Sequence, residues 1–338
     1  MPQDAEFFMP YPRRSHPDTP AALERNIQWA RQFGPLPTDS AVALYAASGV
    51  AEFGTDFCTE AGDDVDLLTN GMAFHFIFDD FFDTPSGQPA DAAVAAALEM
   101  ADLLGRPALS PRPPTTRIGA AFARLWADMT EGRSAEWSRR AARSWLDYLY
   151  ANLTEEANRR TGEVPTVDEH LEVRRHSIAV RPTLHLLEAA GRFEVPSLAW
   201  HSGRLTTARR HTVDHVVLVN EVTGLEKDEA RGEPNLVQLV MAEQGRSRDS
   251  AIRYVIATAD EHLRAFLDLH QGTAGFCDRL GLSGGGREAV HRHVDNLRDM
   301  IAGNYYVHTS VGRYGPAASA RIGPDAPGLL GQDGITPS

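Results

Sequence analysis

The sequence predicts a single all-α domain. Apolar residues recur at three- and four-residue spacing along most of the 338 residues, and the alternation typical of half-buried strands is nearly absent. Breakers at 35–37, 85–87, 106–114 and 283–286 separate these stretches without forming a long linker. With 42% apolar and 23% charged residues, the chain can bury a substantial hydrophobic core.

The elements follow in order from the N-terminus. Residues 1–20 are rich in proline and polar residues, so we expect this N-terminal segment to lie extended over the body until Thr19-Pro20 opens the first helix, which carries Trp29 on its buried face. Residues 315–338 are expected to form a mobile tail, and the domain is predicted to span 21–314. The periodicity predicts helices near 20–33, 38–47, 61–82, 89–104, 114–130, 134–158, 166–190, 197–224, 233–244, 247–281 and 286–308.

Charge and cysteine content exclude several classes of protein. The formal charge of -13 at pH 7 would repel nucleic acid and anionic membranes, whereas a cationic metal is easier to accommodate. Cys58 and Cys277 are too few for a disulfide framework or a CxxC zinc site and are interpreted as buried thiols in a reducing compartment. Without a secretory signal or an apolar run of about 20 residues, a soluble cytoplasmic protein is expected, either a monomer or a homodimer.

The first candidate site is the acidic cluster at 79–83, with the sequence DDFFD. With 46 acidic residues among 338, composition alone gives about one acidic-acidic-x-x-acidic match, so the bare pattern is weak evidence. A second match at 168–172 resembles a solvated first helical turn, in which acidic residues complement the helix dipole. We interpret that second match as structural.

The surroundings of the first cluster are different, because five phenylalanines lie between residues 74 and 82. Carboxylates in such a setting are costly to bury unpaired. On a helix Asp79 and Asp83 lie about 40° apart, so their oxygens can converge on the same hard cation, whereas Asp80 points elsewhere, toward a partner such as arginine. A metal site is one interpretation; the alternative is a helix end whose carboxylates leave the core before Pro85.

The second candidate site is the segment VNEVTGLEKDE, which places Asn220, Gly224 and Asp228 on one helical face at i, i+4 and i+8. Asparagine and aspartate supply hard oxygen ligands, and the neighbouring Lys227 could hold a phosphate. Taken alone, this pattern is also that of an ordinary helix surface.

Together the two clusters resemble the bacterial class I terpene synthases, which carry a DDxxD-type motif on one helix and a later motif of the form N-D-x-x-S-x-x-K-E on a facing helix. Asn220, Lys227 and Asp228 fit the later motif, and Glu221 stands in its first acidic position. Gly224 departs from it, because glycine replaces the serine or threonine ligand. Asp228 also departs from it, with a shorter carboxylate than glutamate. A water molecule could fill the missing coordination place, since magnesium tolerates retained waters.

Two further matches extend the resemblance from about residue 8 to residue 314. Arg174 lies 46 residues before Asn220, where the family has its diphosphate-sensing arginine, and Arg313-Tyr314 resembles the family's RY pair. The resemblance implies an α-helical bundle with a central active-site cavity and three magnesium ions. It also implies an isoprenoid diphosphate substrate, contacted by Arg174, Lys227, Arg313 and Tyr314.

The family's chemistry needs an apolar cavity, because water would destroy the carbocation. Phe76 is the best candidate for its aromatic wall, and Phe53 and Phe82 are weaker candidates that are also compatible with core packing. Val307 stands where the family often has tryptophan. In the family, the arginine is followed by a linker residue and then by a residue whose backbone carbonyl lies at a helix break. Ser177 stands in the first of these places, and Ile178 or Ala179 stands in the second. The thirteen histidines offer no compact ligand spacing and are interpreted as structural or solvated.

The resemblance favours a cyclase that converts farnesyl diphosphate to a sesquiterpene, because single-domain bacterial members most often use that substrate. Geranylgeranyl diphosphate is the alternative, since a small residue at Val307 could enlarge the cavity. A chain-elongating prenyl diphosphate synthase would carry a second DDxxD motif, which this sequence lacks. A non-catalytic helical protein that binds a metal or a partner is the remaining hypothesis.

Overall fold

The computed structural model describes residues 6–33, 39–47, 49–82, 91–105 and 113–310. Within these ranges the chain forms helices and no strand. The helices are α1 (Thr19–Phe33), α2 (Asp39–Ala47), α3 (Val50–Phe57), α4 (Val65–Phe82), α5 (Asp91–Gly105), α6 (Arg117–Thr130), α7 (Ala135–Thr161), α8 (Val167–Ser177), α9 (Val180–Ala190), α10 (Ser197–Trp200), α11 (Gly203–Arg231), α12 (Leu236–Gln244), α13 (Arg248–Gln271), α14 (Thr273–Arg279) and α15 (Gly284–Ser310).

Helix α4 is buried on nearly all sides, as its almost continuously apolar sequence predicts. Leu68, Phe74 and Phe78 are fully buried. The ring of Phe74 stacks on that of Phe78 at 5.9 Å between centroids and meets Trp145 of α7 edge-on at 5.7 Å. This aromatic packing fixes the position of α4, which carries the first acidic cluster at its C-terminal end.

The predicted helix 166–190 is two helices in the structure, α8 and α9. Between them Ala179 has φ 62° and ψ 4°, in the left-handed region that L-residues rarely adopt. Pro182 explains the break, because inside a continuous helix its ring would clash with the carbonyl of Ile178, whereas proline is tolerated in a first turn. The break brings Ile178 and Ala179 into the wall of the central cavity.

Other predicted boundaries differ in similar ways. The stretch 247–281 is divided at Gly272 into α13 and α14, and 197–224 begins as the short α10 and continues as α11 to Arg231. Helix α3 was not predicted, although Val50, Phe53 and Phe57 have helical spacing. The interpretation of 168–172 as a helical start is confirmed: Thr166 caps α8 and forms a capping box with Glu169.

The N-terminal segment lies across α3, α13 and α15, without helix before Thr19. The backbone N–H of Phe8 donates to Asp260 Oδ1 at 2.9 Å, and the hydroxyl of Tyr306 donates to the carbonyl of Tyr11 at 2.9 Å. Residues 1–5 and the predicted tail at 315–338 lie outside the described residues. None of the helices in the described ranges is both long and apolar enough to cross a membrane.

A polar cluster is buried at the junction of α7, α9 and α11. The Glu188 carboxylate, which is inaccessible to solvent, accepts hydrogen bonds from Trp137 Nε1 at 3.0 Å and Arg140 Nη2 at 2.5 Å. Arg140 and Arg209 each lie 4.0 Å from the ring centroid of Trp200. This cluster ties three helices together away from the cavity. Cys58 and Cys277 are buried free thiols, as predicted.

Candidate active site

A cavity of about 570 Å³ lies among α3, α4, α7, α8, α9, α11 and α15. This volume is within the usual range for small-molecule sites. Its wall is apolar and aromatic at one part and strongly charged at another. The apolar part includes Phe53, Phe57 and Phe76, and the charged part includes Asp79, Glu155, Arg174, Glu221, Lys227 and Asp228.

One face of α4 lines the cavity. Met72, His75, Phe76 and Asp79 all contribute to the wall, and their spacing of i, i+3, i+4 and i+7 is that of one helical face. The side chain of Asp79 is exposed, whereas His75 one turn earlier is buried. Phe76 therefore lies in the cavity wall, and Asp79 lies on the charged side of the same wall.

Helix α11 contributes the second predicted cluster. Asn220, Gly224 and Asp228, at i, i+4 and i+8, all line the cavity, and so does the neighbouring Lys227. Asp79 and the Asn220 face thus border the same cavity from two different helices. The structure brings these parts of the two predicted clusters together.

Arg174 of α8 lies beside the cluster on α11. Its Nε donates to Glu221 Oε1 at 2.7 Å, and its Nη2 donates to Asn220 Oδ1 at 2.8 Å. Its Nη1 donates to Ser177 Oγ at 3.2 Å, while Ser177 Oγ donates to Glu155 Oε1 at 2.5 Å. The guanidinium is therefore held between α7, α8 and α11 beside the cavity.

The two carboxylates on α11 have opposite electrostatic environments. Burial raises the pKa of Glu221, but the charge of Arg174 and contacts with His170 outweigh burial and bring the pKa down to about 2. Burial raises the pKa of Asp228 to about 7, and the negative charge of Glu221 adds to this rise, with only partial compensation by Lys227. Asp228 thus lacks enough positive charge around it.

This imbalance is the observation that tests whether a metal fits. Asp228 is a mostly buried carboxylate facing the cavity, and a divalent cation there would supply the missing charge. The neighbouring Asn220 amide and Asp79 carboxylate are also the hard oxygen donors that magnesium prefers. Among the residues the structure describes, no three His, Cys, Asp or Glu side chains could hold a metal by themselves. The chemistry of these oxygen donors fits a divalent cation.

The gap at Gly224 has a definite geometry. A Cβ built on Gly224 would have Asp228 Oδ2 as its nearest neighbour at 3.4 Å, which is an ordinary contact. Thr223 does not fill the gap, because its hydroxyl donates to the carbonyl of Val219 at 2.8 Å. The coordination place that serine would occupy is therefore open to a side chain.

Two residues predicted to line the cavity are packed in the core instead. Phe82 is packed in the core, with its ring edge-on to Phe78 at 5.2 Å, and Val307 is fully buried in the same core. Neither contributes to the cavity wall, and His308, the residue after Val307, does. Phe53, Ser177 and Ile178 line the cavity. Asp83, Arg313, Tyr314 and the side chain of Asp80 lie outside the described residues.

Sequence reasoning missed three residues around the site. Glu155 reaches Arg174 from α7, and His75 lies in the cavity wall; no local signal distinguished either from its neighbours. Asn235 Nδ2 donates to Asp228 Oδ2 at 2.8 Å and to the carbonyl of Glu221 at 2.9 Å. Asparagine just before an apolar run is a helix N-cap signature, which could have identified Asn235 as the start of α12.

The chain is similar to proteins of known identity. A family model described as terpene synthase family 2, C-terminal metal binding, matches residues 71–265. Pentalenene synthase of Streptomyces arenae is 34% identical over 319 residues, covering 93% of this chain and 94% of that protein. A Saccharothrix espanaensis relative, (-)-beta-caryophyllene synthase ((2E,6E)-farnesyl diphosphate cyclizing), is 32% identical over 341 residues, covering 99% of this chain and 96% of the relative. Linalool/nerolidol synthase from Streptomyces clavuligerus, solved in complex with 2-fluorogeranyl diphosphate, matches with a TM-score of 0.78 at 32% identity, covering 90% of this chain and 99% of that one.

Proposed function

Because the chain belongs to the terpene synthase family and is an enzyme of that family, we propose that it ionises farnesyl diphosphate and cyclises the carbocation to a sesquiterpene. The observation that carries the proposal is the meeting of Asp79, Arg174 and the Asn220–Asp228 face around one aromatic-lined cavity. Charged groups for a diphosphate and an apolar chamber for a hydrocarbon are thereby adjacent.

The choice of farnesyl diphosphate is supported by the relatives. The caryophyllene synthase cyclises (2E,6E)-farnesyl diphosphate by its name and aligns with nearly the whole chain. Geranylgeranyl diphosphate is the alternative substrate, on the ground that a small residue at 307 could enlarge the cavity. Val307 is packed in the core instead, so this argument for a longer substrate no longer applies.

The proposed ligands for magnesium are Asp79 and Asp83 on one side and Asn220 and Asp228 on the other, with three ions in all. When bound, the magnesium ions offset negative charge on the departing diphosphate. Asp80 is proposed to pair with a basic side chain next to these ligands and so to support their position.

Arg174 and Lys227 are proposed to bind diphosphate oxygens, together with Arg313 and Tyr314. A guanidinium suits this task because its planar fork binds phosphate oxygens in pairs and keeps its charge. The carboxylates of Glu221 and Glu155 raise the pKa of Arg174 despite its burial, so the residue stays cationic. Departure of the diphosphate then requires no general base.

The apolar wall is proposed to protect the carbocation. Phe53 and Phe76 pack 5.2 Å apart between ring centroids and both face the cavity. Aromatic faces stabilise positive charge, and an apolar chamber excludes the water that would capture it. Ser177 and Ile178 border the same space next to Arg174.

The test is incubation with magnesium and the ten-, fifteen- and twenty-carbon diphosphates, with diphosphate release and mass-spectral product analysis as readouts. We expect the fifteen-carbon substrate to give a cyclic sesquiterpene. Asp79→Ala and Asn220→Ala should each lower turnover at least 100-fold while circular dichroism stays unchanged, because each removes a proposed ligand.

The control is Asp128→Ala, which removes an exposed aspartate that pairs with Arg124 on α6. It should keep wild-type turnover. No diphosphate release from any of the three substrates would refute the function, and full activity in both ligand variants would refute the site.

A further inference from the structure

His75 is a buried polar residue in an otherwise apolar part of the cavity wall. Its side chain lies on α4 one helical turn before Asp79 and is only 5% exposed. Neither ring nitrogen has a hydrogen-bond partner in the part of the chain that the structure describes. Such a group is costly to bury unless it is satisfied, so its place beside a substrate cavity calls for a functional explanation.

The ring is held by aromatic neighbours. It stacks on Trp145 at 4.8 Å between centroids with an interplanar angle of 13°, and Tyr148 meets it edge-on at 4.9 Å. Burial lowers the pKa of His75 to about 3, so the imidazole is neutral at physiological pH and keeps one free lone pair. Both ring nitrogens are buried in the orientation described. A 180° rotation about Cβ–Cγ exchanges nitrogen and carbon positions within the same ring outline, so the opposite edge can present a nitrogen to the cavity.

Two other histidines show what is specific to His75. His308 also lines the cavity, but its Nδ1 lies 3.5 Å from the hydroxyl of Thr223. His215 of α11 resembles His75 in being fully buried, with neither ring nitrogen partnered in the described ranges, but it does not line the cavity. Only His75 among these three combines an unpartnered imidazole with a place in the cavity wall.

We propose that the His75 imidazole accepts the proton whose loss ends the carbocation cascade. This proposal rests on the proposed function. A C–H bond next to the cationic carbon breaks, its electron pair forms the new C=C bond, and the proton goes to the free lone pair of the ring. The carbocation becomes a neutral alkene, and the imidazole becomes an imidazolium.

The proton then passes to the diphosphate released in the same turnover, or to water when the product leaves. An imidazolium in this apolar position is poorly stabilised, so it returns the proton readily. The neutral base is thereby restored for the next cycle.

The test uses His75→Phe, which preserves an aromatic ring beside Trp145 and Tyr148, and His75→Asn, which has a different shape and no basic nitrogen. Wild type first identifies the main product and the carbon that loses its proton. Farnesyl diphosphate deuterated at that carbon is then given to each variant. We expect diphosphate release within about threefold of wild type and at least a fivefold fall in the wild-type alkene.

Deuterium retention separates a change of base from a change of cavity shape. If His75 is the acceptor, products of both variants should retain the deuterium that wild type loses. If products with the wild-type carbon skeleton still lose it, another group accepts the proton and the proposal is overturned. The proposal would also be overturned if the main wild-type product is an alcohol and His75→Phe makes alkenes instead. In that case His75 would hold the water molecule that captures the carbocation.

The matched control is His215→Phe, which should leave the product composition unchanged because His215 lies outside the cavity wall. Thermal unfolding of all variants checks that each is folded, and His75→Asn carries the test if His75→Phe is not. Absence of diphosphate release by wild type would refute the proposed function instead, so the two failures are distinguishable.

Discussion

Gly224 removes one oxygen ligand from the proposed metal site on α11. It leaves a position on the α11 face without an oxygen, and the neighbouring Thr223 hydroxyl is bonded to the backbone of its own helix. Ligation on this side is therefore expected to rely on Asn220, Asp228 and retained water. The affinity for metal should be lower than that of a complete ligand set.

Gly224→Ser should restore that affinity. The new Cβ would lie 3.4 Å from Asp228 Oδ2, so no side chain has to move, and the hydroxyl adds an oxygen donor. We expect the magnesium concentration for half-maximal activity to fall at least twofold. The thermal shift caused by magnesium with inorganic diphosphate should increase.

Gly224→Ala is the matched control, because it adds the Cβ and the helix propensity without the oxygen. Both substitutions should stabilise α11 by about 0.5–1 kcal/mol, since glycine is unfavourable inside a helix. If alanine and serine change the magnesium dependence equally, ligation is not the cause.

At the level of elements, the start of α12 supports the acidic residues of α11. Asn235 caps α12 through Oδ1, which accepts from Val237 N at 2.9 Å, and its Nδ2 is thereby turned toward Asp228 and the carbonyl of Glu221. The backbone N–H of Leu236 donates to Glu221 Oε2 at 2.7 Å. One helix terminus thus orients two carboxylates of its neighbour.

Asn235→Ser should separate the two roles of the cap. Serine also caps helices well, so α12 should keep its start, but both Nδ2 hydrogen bonds are lost and the melting temperature should fall modestly. We expect the half-maximal magnesium concentration to rise at least threefold because Asp228 is no longer held. Magnesium titrations of diphosphate release and of thermal stability measure this.

The reciprocal exchange Ser247→Asn, at the cap of α13 outside the cavity wall, serves as control and should leave the magnesium dependence unchanged. A wild-type dependence in Asn235→Ser would show that Asp228 keeps its place without the amide.

The elements also show how far sequence reasoning reaches. Helical periodicity located most helices, and the i, i+4, i+8 spacing placed Asn220 and Asp228 on one face. Contacts between helices gave no such signal: Glu155 and Asn235 reach the site across helix boundaries, and only the fold brings them there. Periodicity alone concealed the break at Ala179, whereas the family resemblance placed a helix break at Ile178 or Ala179.

For the molecule as a whole, the buried cluster around Glu188 makes the free energy of unfolding depend on pH. Burial raises the pKa of Glu188, but hydrogen bonding to His185 and the charge of Arg140 outweigh it and leave the pKa below its ordinary value. A depressed carboxyl pKa contributes stability above the unfolded pKa of about 4.3. That contribution is lost as the pH falls through the folded pKa.

Glu188→Gln should therefore lower the free energy of unfolding at pH 7 by about 3–5 kcal/mol, because it leaves Arg140 without its buried partner. The difference from wild type should shrink below pH 4, where wild type also loses the carboxylate charge. Denaturant unfolding at pH 7 and pH 3 measures both values. Glu261→Gln, at an exposed position on α13, should change neither.

A substrate that binds Arg174 must compete with the protein oxygens that already accept its hydrogen bonds. Glu221, Asn220 and Glu155 already occupy the guanidinium, so an incoming group must offer enough charged oxygens to displace some of them. A diphosphate can do so, whereas an isoprenoid alcohol of equal length cannot. On the proposed function, selectivity against dephosphorylated isoprenoids therefore comes from the hydrogen bonds that Arg174 already makes within the protein.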